Sequence, residues 1–124
     1  MNPQQKILVV DDEVEIVSLL EEELKELGYR VLTAQDGLAG LEMARREQPD
    51  LVILDLMLPK MDGYRVCGLL KHDNRYAKIP IILFTARAQE EDVKLGEALG
   101  ANAYVTKPFD PQTLFSKIHQ LIKN

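Results

Sequence analysis

The sequence predicts an α/β fold: a doubly wound, five-stranded parallel sheet with helices on both faces. Three observations predict it. First, short apolar runs alternate with amphipathic stretches along all 124 residues, the pattern of repeated strand–helix units. Second, the runs at Leu51–Leu54 (LVIL) and at residues 79–84 (IPIILF) are apolar almost without interruption. Strands covered on both faces read that way. Third, polar residues collect where the runs stop: Asp11 and Asp12, Asp55, Thr85 and Lys107. In a parallel sheet with right-handed crossovers all these ends share one rim.

In chain order, Lys6–Val10 (KILVV) is a buried strand ending on Asp11, Asp12 and Glu13. Residues 14–27 form the clearest helix, with Val17, Leu20, Leu24 and Leu27 at helical spacing. Glu21 and Lys25 stand four apart on its wet face, and Gly28 stops it. Residues 29–34 (YRVLTA) are a more polar strand, suited to an edge. Asp36 caps a second helix whose core face is Leu38, Leu41 and Ala44, and Gln48-Pro49 ends it. The LVIL strand delivers Asp55, and Asp62 caps a third helix over residues 63–72, with Val66, Cys67 and Leu70 inward. The fourth strand, residues 79–84, ends on Thr85; a helix follows over residues 90–99, stopped by Gly100. Ala103–Thr106 is a short last strand before Lys107-Pro108. Asp110 and Pro111 are the N-cap and first-turn proline of a final helix, with Leu114, Phe115, Ile118, Leu121 and Ile122 as its stripe. The first, third and fourth strands are the most apolar and belong at the centre.

The length fits one domain. The net charge of -5, from 15 basic and 20 acidic residues, argues against holding DNA or an anionic membrane by general electrostatics. One cysteine, Cys67, excludes an internal disulfide and suits a reducing cytosol. No signal peptide is recognisable, and no apolar run is long enough to cross a bilayer.

The residues at the strand ends carry the chemistry. Carboxylates at Asp11, Asp12 and Asp55 repel one another by about 3 kcal/mol per pair at roughly 5 Å and an effective dielectric near 20. Lys107 alone does not offset that. A hard divalent cation does, and oxygen ligands without His or Cys favour Mg²⁺, with Mn²⁺ an option. Mg²⁺ keeps open positions that phosphate oxygens complete. A carboxylate beside it can attack phosphorus and form an aspartyl phosphate, a transfer that needs positioning and charge neutralisation above all. Asp55 is the better nucleophile because no second acid adjoins it. Taken singly, these residues have plainer readings: a helix N-terminal acid cluster for 11–13, a loop cap for Asp55, a solvated turn for Lys107. Cys67 reads as core, and His72 and His119 as surface.

Four segments, VVDDE (9–13), ILDLMLPKMDG (53–63), ILFTA (82–86) and YVTKPF (104–109), occur in this order. Together they resemble the response-regulator receiver domain of two-component signalling, over the whole chain, 1–124. The resemblance implies a flavodoxin-like strand order 2-1-3-4-5 with the site between strands 1 and 3. The family itself is a standard example of that order, so the order follows from the resemblance. It implies that Asp55 takes a phosphoryl group from a sensor histidine kinase or a histidine phosphotransfer protein. Asp12 would hold Mg²⁺ directly and Asp11 mainly through water, with Asp55 and the Met57 carbonyl completing the protein ligands. Thr85 and Lys107 would bind phosphoryl oxygens, and Tyr104 would turn inward as Thr85 moves. The Lys107–Pro108 peptide would be cis, and Met57 and Arg87 would tune phosphate lifetime. The switched surface would be that of the fourth helix, fifth strand and fifth helix. It would serve a downstream protein or a fused output domain, in a cytoplasmic monomer or weak phosphorylation-dependent dimer. The resemblance implies only weak self-phosphorylation and autodephosphorylation, and no direct contact of this domain with nucleic acid or membrane.

Two features differ from winged-helix transcription regulators of this family and are more similar to a chemotaxis-regulator-like, stand-alone type and to receivers joined to cyclic-dinucleotide enzymes. Ala101, Asn102 and Ala103 stand where those regulators carry acids, and the loop HDNRYAKIP is long. The chain also ends soon after the last helix, an expectation of no output domain. Two other functions compete. A small Mg-dependent aspartyl-phosphate phosphohydrolase would want a second acid just after the nucleophile, where Leu56 and Met57 stand, and a cap. A nucleotide binder would want a glycine-rich phosphate loop after strand 1, where three acids stand.

Overall fold

The computed structural model describes residues 4–86 and 89–122. Its elements run β1 (Lys6–Val10), α1 (Val14–Glu26), β2 (Arg30–Ala34), α2 (Gly37–Glu47), β3 (Leu51–Leu54), α3 (Gly63–Lys71), β4 (Ile81–Thr85), α4 (Glu90–Ala98), β5 (Ala103–Thr106) and α5 (Pro111–Leu121). All strand pairs are parallel, in the order β2-β1-β3-β4-β5. The apolar strands are central and the polar β2 is an edge, as the residue pattern requires.

The pleat sorts the central strands into two cores. Leu8, Val10, Val52, Leu54, Ile81 and Leu83 face α2 and α3. Ile7, Val9, Leu51, Ile53, Ile82 and Phe84 face α1 and α5. Each such side chain contributes about 1.5–3 kcal/mol by leaving water, so the sheet is fixed from both sides. Helix ends follow local chemistry. Gly28, at φ +98°, closes α1 with bonds from its N–H to Lys25 and from Tyr29 to Leu24, a left-handed cap that glycine adopts without strain. Asp36 and Asp62 accept the backbone N–H groups of Ala39 (2.7 Å) and Arg65 (2.9 Å).

The structure corrects several expectations. Leu27 and Leu38 are 56% and 43% exposed; the first has become the C-cap of α1, and the second sits in the first turn of α2, outside its buried face. Buried Gly40 takes a place on that face. The fourth strand starts at Ile81, not Ile79, because the Ile79 N–H is spent in a turn to Tyr76 (3.0 Å). The second strand begins at Arg30, since Tyr29 belongs to the α1 cap. Asp110 stands at the N-cap of α5, but its carboxylate accepts the Thr113 hydroxyl (2.8 Å) rather than a backbone N–H. No helix among the described residues is long and apolar enough to cross a membrane.

Candidate functional site

The carboxyl ends of β1, β3, β4 and β5 bring Asp11, Asp55, Thr85 and Lys107 to one rim. Asp11 and Asp55 are almost fully buried, and so is Thr85; Asp12 beside them is exposed. One carboxylate oxygen from each of Asp11, Asp12 and Asp55 lies within 4.8 Å of the others. The backbone keeps them there. Asp11 N–H bonds Ala34 and Asp55 N–H bonds Val10, extending the sheet ladder by one residue on each strand. Gly63 allows α3 to begin against this loop: a Cβ there would lie 2.1 Å from the Asp55 carbonyl oxygen.

Lys107 crosses from β5 to the acids. Its Nζ is 2.7 Å from Asp11 Oδ2, 2.7 Å from Glu13 Oε1 and 3.1 Å from Asp55 Oδ2, and it stands 5.2 Å from the centre of the Phe84 ring. The Lys107–Pro108 peptide is cis, and Lys107 N–H donates to the Thr85 carbonyl at 2.8 Å. Asp55 Oδ1 accepts the Met57 N–H (3.2 Å), and Asp11 Oδ1 accepts the Glu13 N–H (2.9 Å). The Met57 side chain is 59% exposed. Tyr104 is half-buried on β5, its ring close to Gly96 of α4. Arg87 lies outside the described residues.

Burial raises the Asp11 carboxyl above the usual range, and the Asp55 charge adds to this against the opposing Lys107 ammonium and Glu13 N–H. For Lys107, burial alone would lower the ammonium; its contacts with Asp11, Glu13 and Asp55 outweigh burial and hold it above the ordinary lysine range. The two groups hold one another charged in a place that disfavours charge.

The donor set suits a hard cation: three carboxylates, with no His or Cys. Asp11 Oδ2 is buried, and its partner is the Lys107 ammonium at 2.7 Å. A buried carboxylate oxygen needs a cation beside it, a place that a metal ion can share. A shallow hollow of about 450 Å³, bordered by Asp12, Met57, Pro59 and Asp62, opens beside the acids. A wider groove of about 840 Å³ lies elsewhere, between α1 and α5, and no carboxylate lines it.

Two residues went unassigned in the sequence. Glu13 was visible in the acidic triplet, but nothing local tells whether it caps α1 or reaches Lys107. Asp92, buried in the first turn of α4, accepts the Tyr64 hydroxyl at 3.1 Å; no sequence signal marks it.

Comparison with known proteins shows the family. The response regulator receiver domain pattern matches residues 7–119. The alkaline phosphatase synthesis transcriptional regulatory protein PhoP of Bacillus subtilis is 45% identical over 96% of this chain and 49% of its own. The DNA-binding dual master transcriptional regulator RpaA of Synechocystis sp. is 42% identical over 95% of this chain and 49% of its own. The chain thus spans about half the length of these curated relatives. Among solved structures, the Vibrio cholerae chemotaxis protein CheY4 superposes with a TM-score of 0.90 at 31% identity, over 97% of this chain and 100% of that one. A fold, a rim of carboxylates and a sequence pattern agree, and the chain belongs to the response regulator receiver domains of two-component signalling.

Proposed function

We propose that Asp55 is the phosphoacceptor of a single receiver domain spanning 1–124. The observation that carries this reading is the meeting of Asp55 with Asp11, Asp12 and Lys107 at one rim. An Asp55 carboxylate oxygen forms a bond to phosphorus as the bond to the donor breaks. The leaving group keeps the electron pair: a histidine imidazole from a kinase or phosphotransfer protein, or acetate from acetyl phosphate. The Met57 N–H and Lys107 orient the Asp55 oxygens. Asp11, Asp12, Asp55 and the Met57 carbonyl would hold Mg²⁺, which would neutralise the transferred charge. Lys107 and the Thr85 hydroxyl then engage phosphoryl oxygens, Tyr104 turns inward, and Met57 and Arg87 tune the lifetime of the acyl phosphate.

The consequence is a change of the α4-β5-α5 surface and of what binds it: a separate protein or a fused output domain. Moving a population from 1:99 to 99:1 needs about 5.5 kcal/mol of differential stabilisation. Charge-assisted bonds of roughly 1.5–3 kcal/mol each from Lys107 and Thr85 supply much of it. The domain acts in the cytoplasm as a regulator rather than a turnover catalyst. DNA contact belongs to an attached segment where there is one.

Acetyl phosphate with Mg²⁺ should add one phosphoryl group to the native chain, read by intact mass, and none to Asp55→Asn. An unchanged native mass would refute the reading. Continuous phosphate release from phosphate esters would favour a phosphohydrolase instead.

A further inference from the structure

On the reading of Asp55 as phosphoacceptor, Lys107 must turn toward the incoming phosphoryl oxygens. Its ammonium already has three carboxylates around it, and they are not equivalent. Glu13 Oε1 and Asp55 Oδ2 take directed hydrogen bonds at 2.7 and 3.1 Å. Asp11 Oδ2 lies at 2.7 Å. Asp11 and Asp55 side chains are 1% and 5% exposed, whereas Glu13 is 56% exposed. Taking Lys107 from either aspartate strands a buried charge. Taking it from Glu13 returns a carboxylate to water, where the pair is worth little.

Glu13 also forgoes an alternative. It stands at the N-cap of α1, yet its side chain makes no capping bond there. Its backbone N–H is tied to Asp11 Oδ1 at 2.9 Å, and its carboxylate reaches instead toward a lysine 94 positions away. We infer that Glu13 is a positioning residue that tethers Lys107 in the unphosphorylated protein and slows phosphorylation of Asp55 until the pair lets go. The tether occupies a donor that the phosphoryl group needs, and it is the contact that breaks at least cost.

Two variants separate a tether from simple repulsion of an anionic donor. Glu13→Gln removes the charge. Glu13→Asp keeps the charge but withdraws it by one methylene, too far to hold the present contact. Both should take up phosphoryl from acetyl phosphate and Mg²⁺ about two- to fivefold faster than native, the worth of one exposed ion pair. In metal-free protein at pH 7, ¹³Cε relaxation of Lys107 should report a more mobile side chain in both. A faster Glu13→Gln with a native-like Glu13→Asp would mean repulsion and overturn the tether; so would no acceleration in either. If the native chain itself gains no phosphoryl group, the phosphoacceptor reading fails and the tether fails with it. If the native chain is phosphorylated and only the variants disappoint, the tether alone fails.

Discussion

Lys71 and Lys107 stand at opposite ends of the sheet, both partly withdrawn from water, and their ammonium groups shift in opposite directions. Lys71, at the end of α3, donates to the carbonyl oxygens of Ala77 (3.2 Å) and Ile79 (2.8 Å). Burial holds it below the usual lysine range. Lys107 suffers the same burial, but carboxylates surround it and hold it above that range. The rest of each end follows its lysine. At the amino end, Asp50 accepts the Lys6 N–H (2.7 Å) and Asn102 accepts the Ile81 N–H (2.9 Å). These side chains satisfy backbone groups that the strand ends expose. At the carboxyl end, charges face charges, an arrangement that costs desolvation. Asp50 and Asn102 satisfy strand-end backbone groups; Asp11 and Asp55 each accept one backbone N–H and turn the other oxygen to Lys107, and that gathered charge calls for a ligand.

Removing the lysine tests this difference hardest. Lys107→Met keeps most of the apolar stem and strands Asp11 and Asp55, so metal-free stability should fall by about 3–5 kcal/mol at neutral pH. Urea unfolding measures it. The Asp11 carboxyl is already raised. A raised acid contributes stability below its unfolded value and loses it as pH climbs through the folded one. The deficit of the variant should therefore shrink as pH falls through the folded Asp11 value and protonation removes the stranded charge. Mg²⁺ should restore part of the loss; a deficit indifferent to both pH and metal would mean Lys107 is ordinary packing.

Removing one acid should act in the opposite sense. Asp12 is exposed and adds repulsion to the buried pair. Asp12→Asn should stabilise the metal-free protein by about 1 kcal/mol, roughly 3–5 °C in Tm, while weakening Mg²⁺ binding tenfold or more. At the amino end, Asp50→Ala removes the acceptor of the Lys6 N–H and should cost about 1 kcal/mol without touching metal affinity. If both variants destabilise alike, the two ends are not different in kind.

The same distinction explains what could be read from letters alone. β1 and β3 are legible because an unbroken apolar run has one good explanation, and parallel topology then gathers Asp11, Asp12, Asp55 and Lys107. The start of β4 is not legible, because Ile79 and Pro80 look like strand while the Ile79 N–H goes to Tyr76. Leu38 has helical spacing, but at a helix end spacing does not decide burial. Glu13 and Asp92 share one difficulty. Each reads as an acid favouring a helix N-terminus, and each gains its meaning from a partner far along the chain, Lys107 at 94 positions and Tyr64 at 28.

The gentlest test concerns Lys71 and its neighbour Cys67. Lys71→Met gives up two bonds to carbonyls but also the cost of a buried charge, so stability at pH 7 should change by no more than about 1 kcal/mol. A lysine whose folded value is depressed contributes increasing stability as pH rises toward its ordinary 10.5. The variant should lack that rise. Burial pushes the Cys67 thiol up to about 11, against the opposing charge of Lys71, leaving about 0.1% thiolate at pH 8. Native Cys67 should react with iodoacetamide at pH 8 only at the rate of unfolding. Lys71→Met deletes the cation that favours the thiolate, so it should open no direct route in folded protein, and Cys67 should still react only at the rate of unfolding. A faster reaction would show that Lys71 guards the loop above the thiol, and the amino end would then hold its lysine for access as well as for backbone bonds.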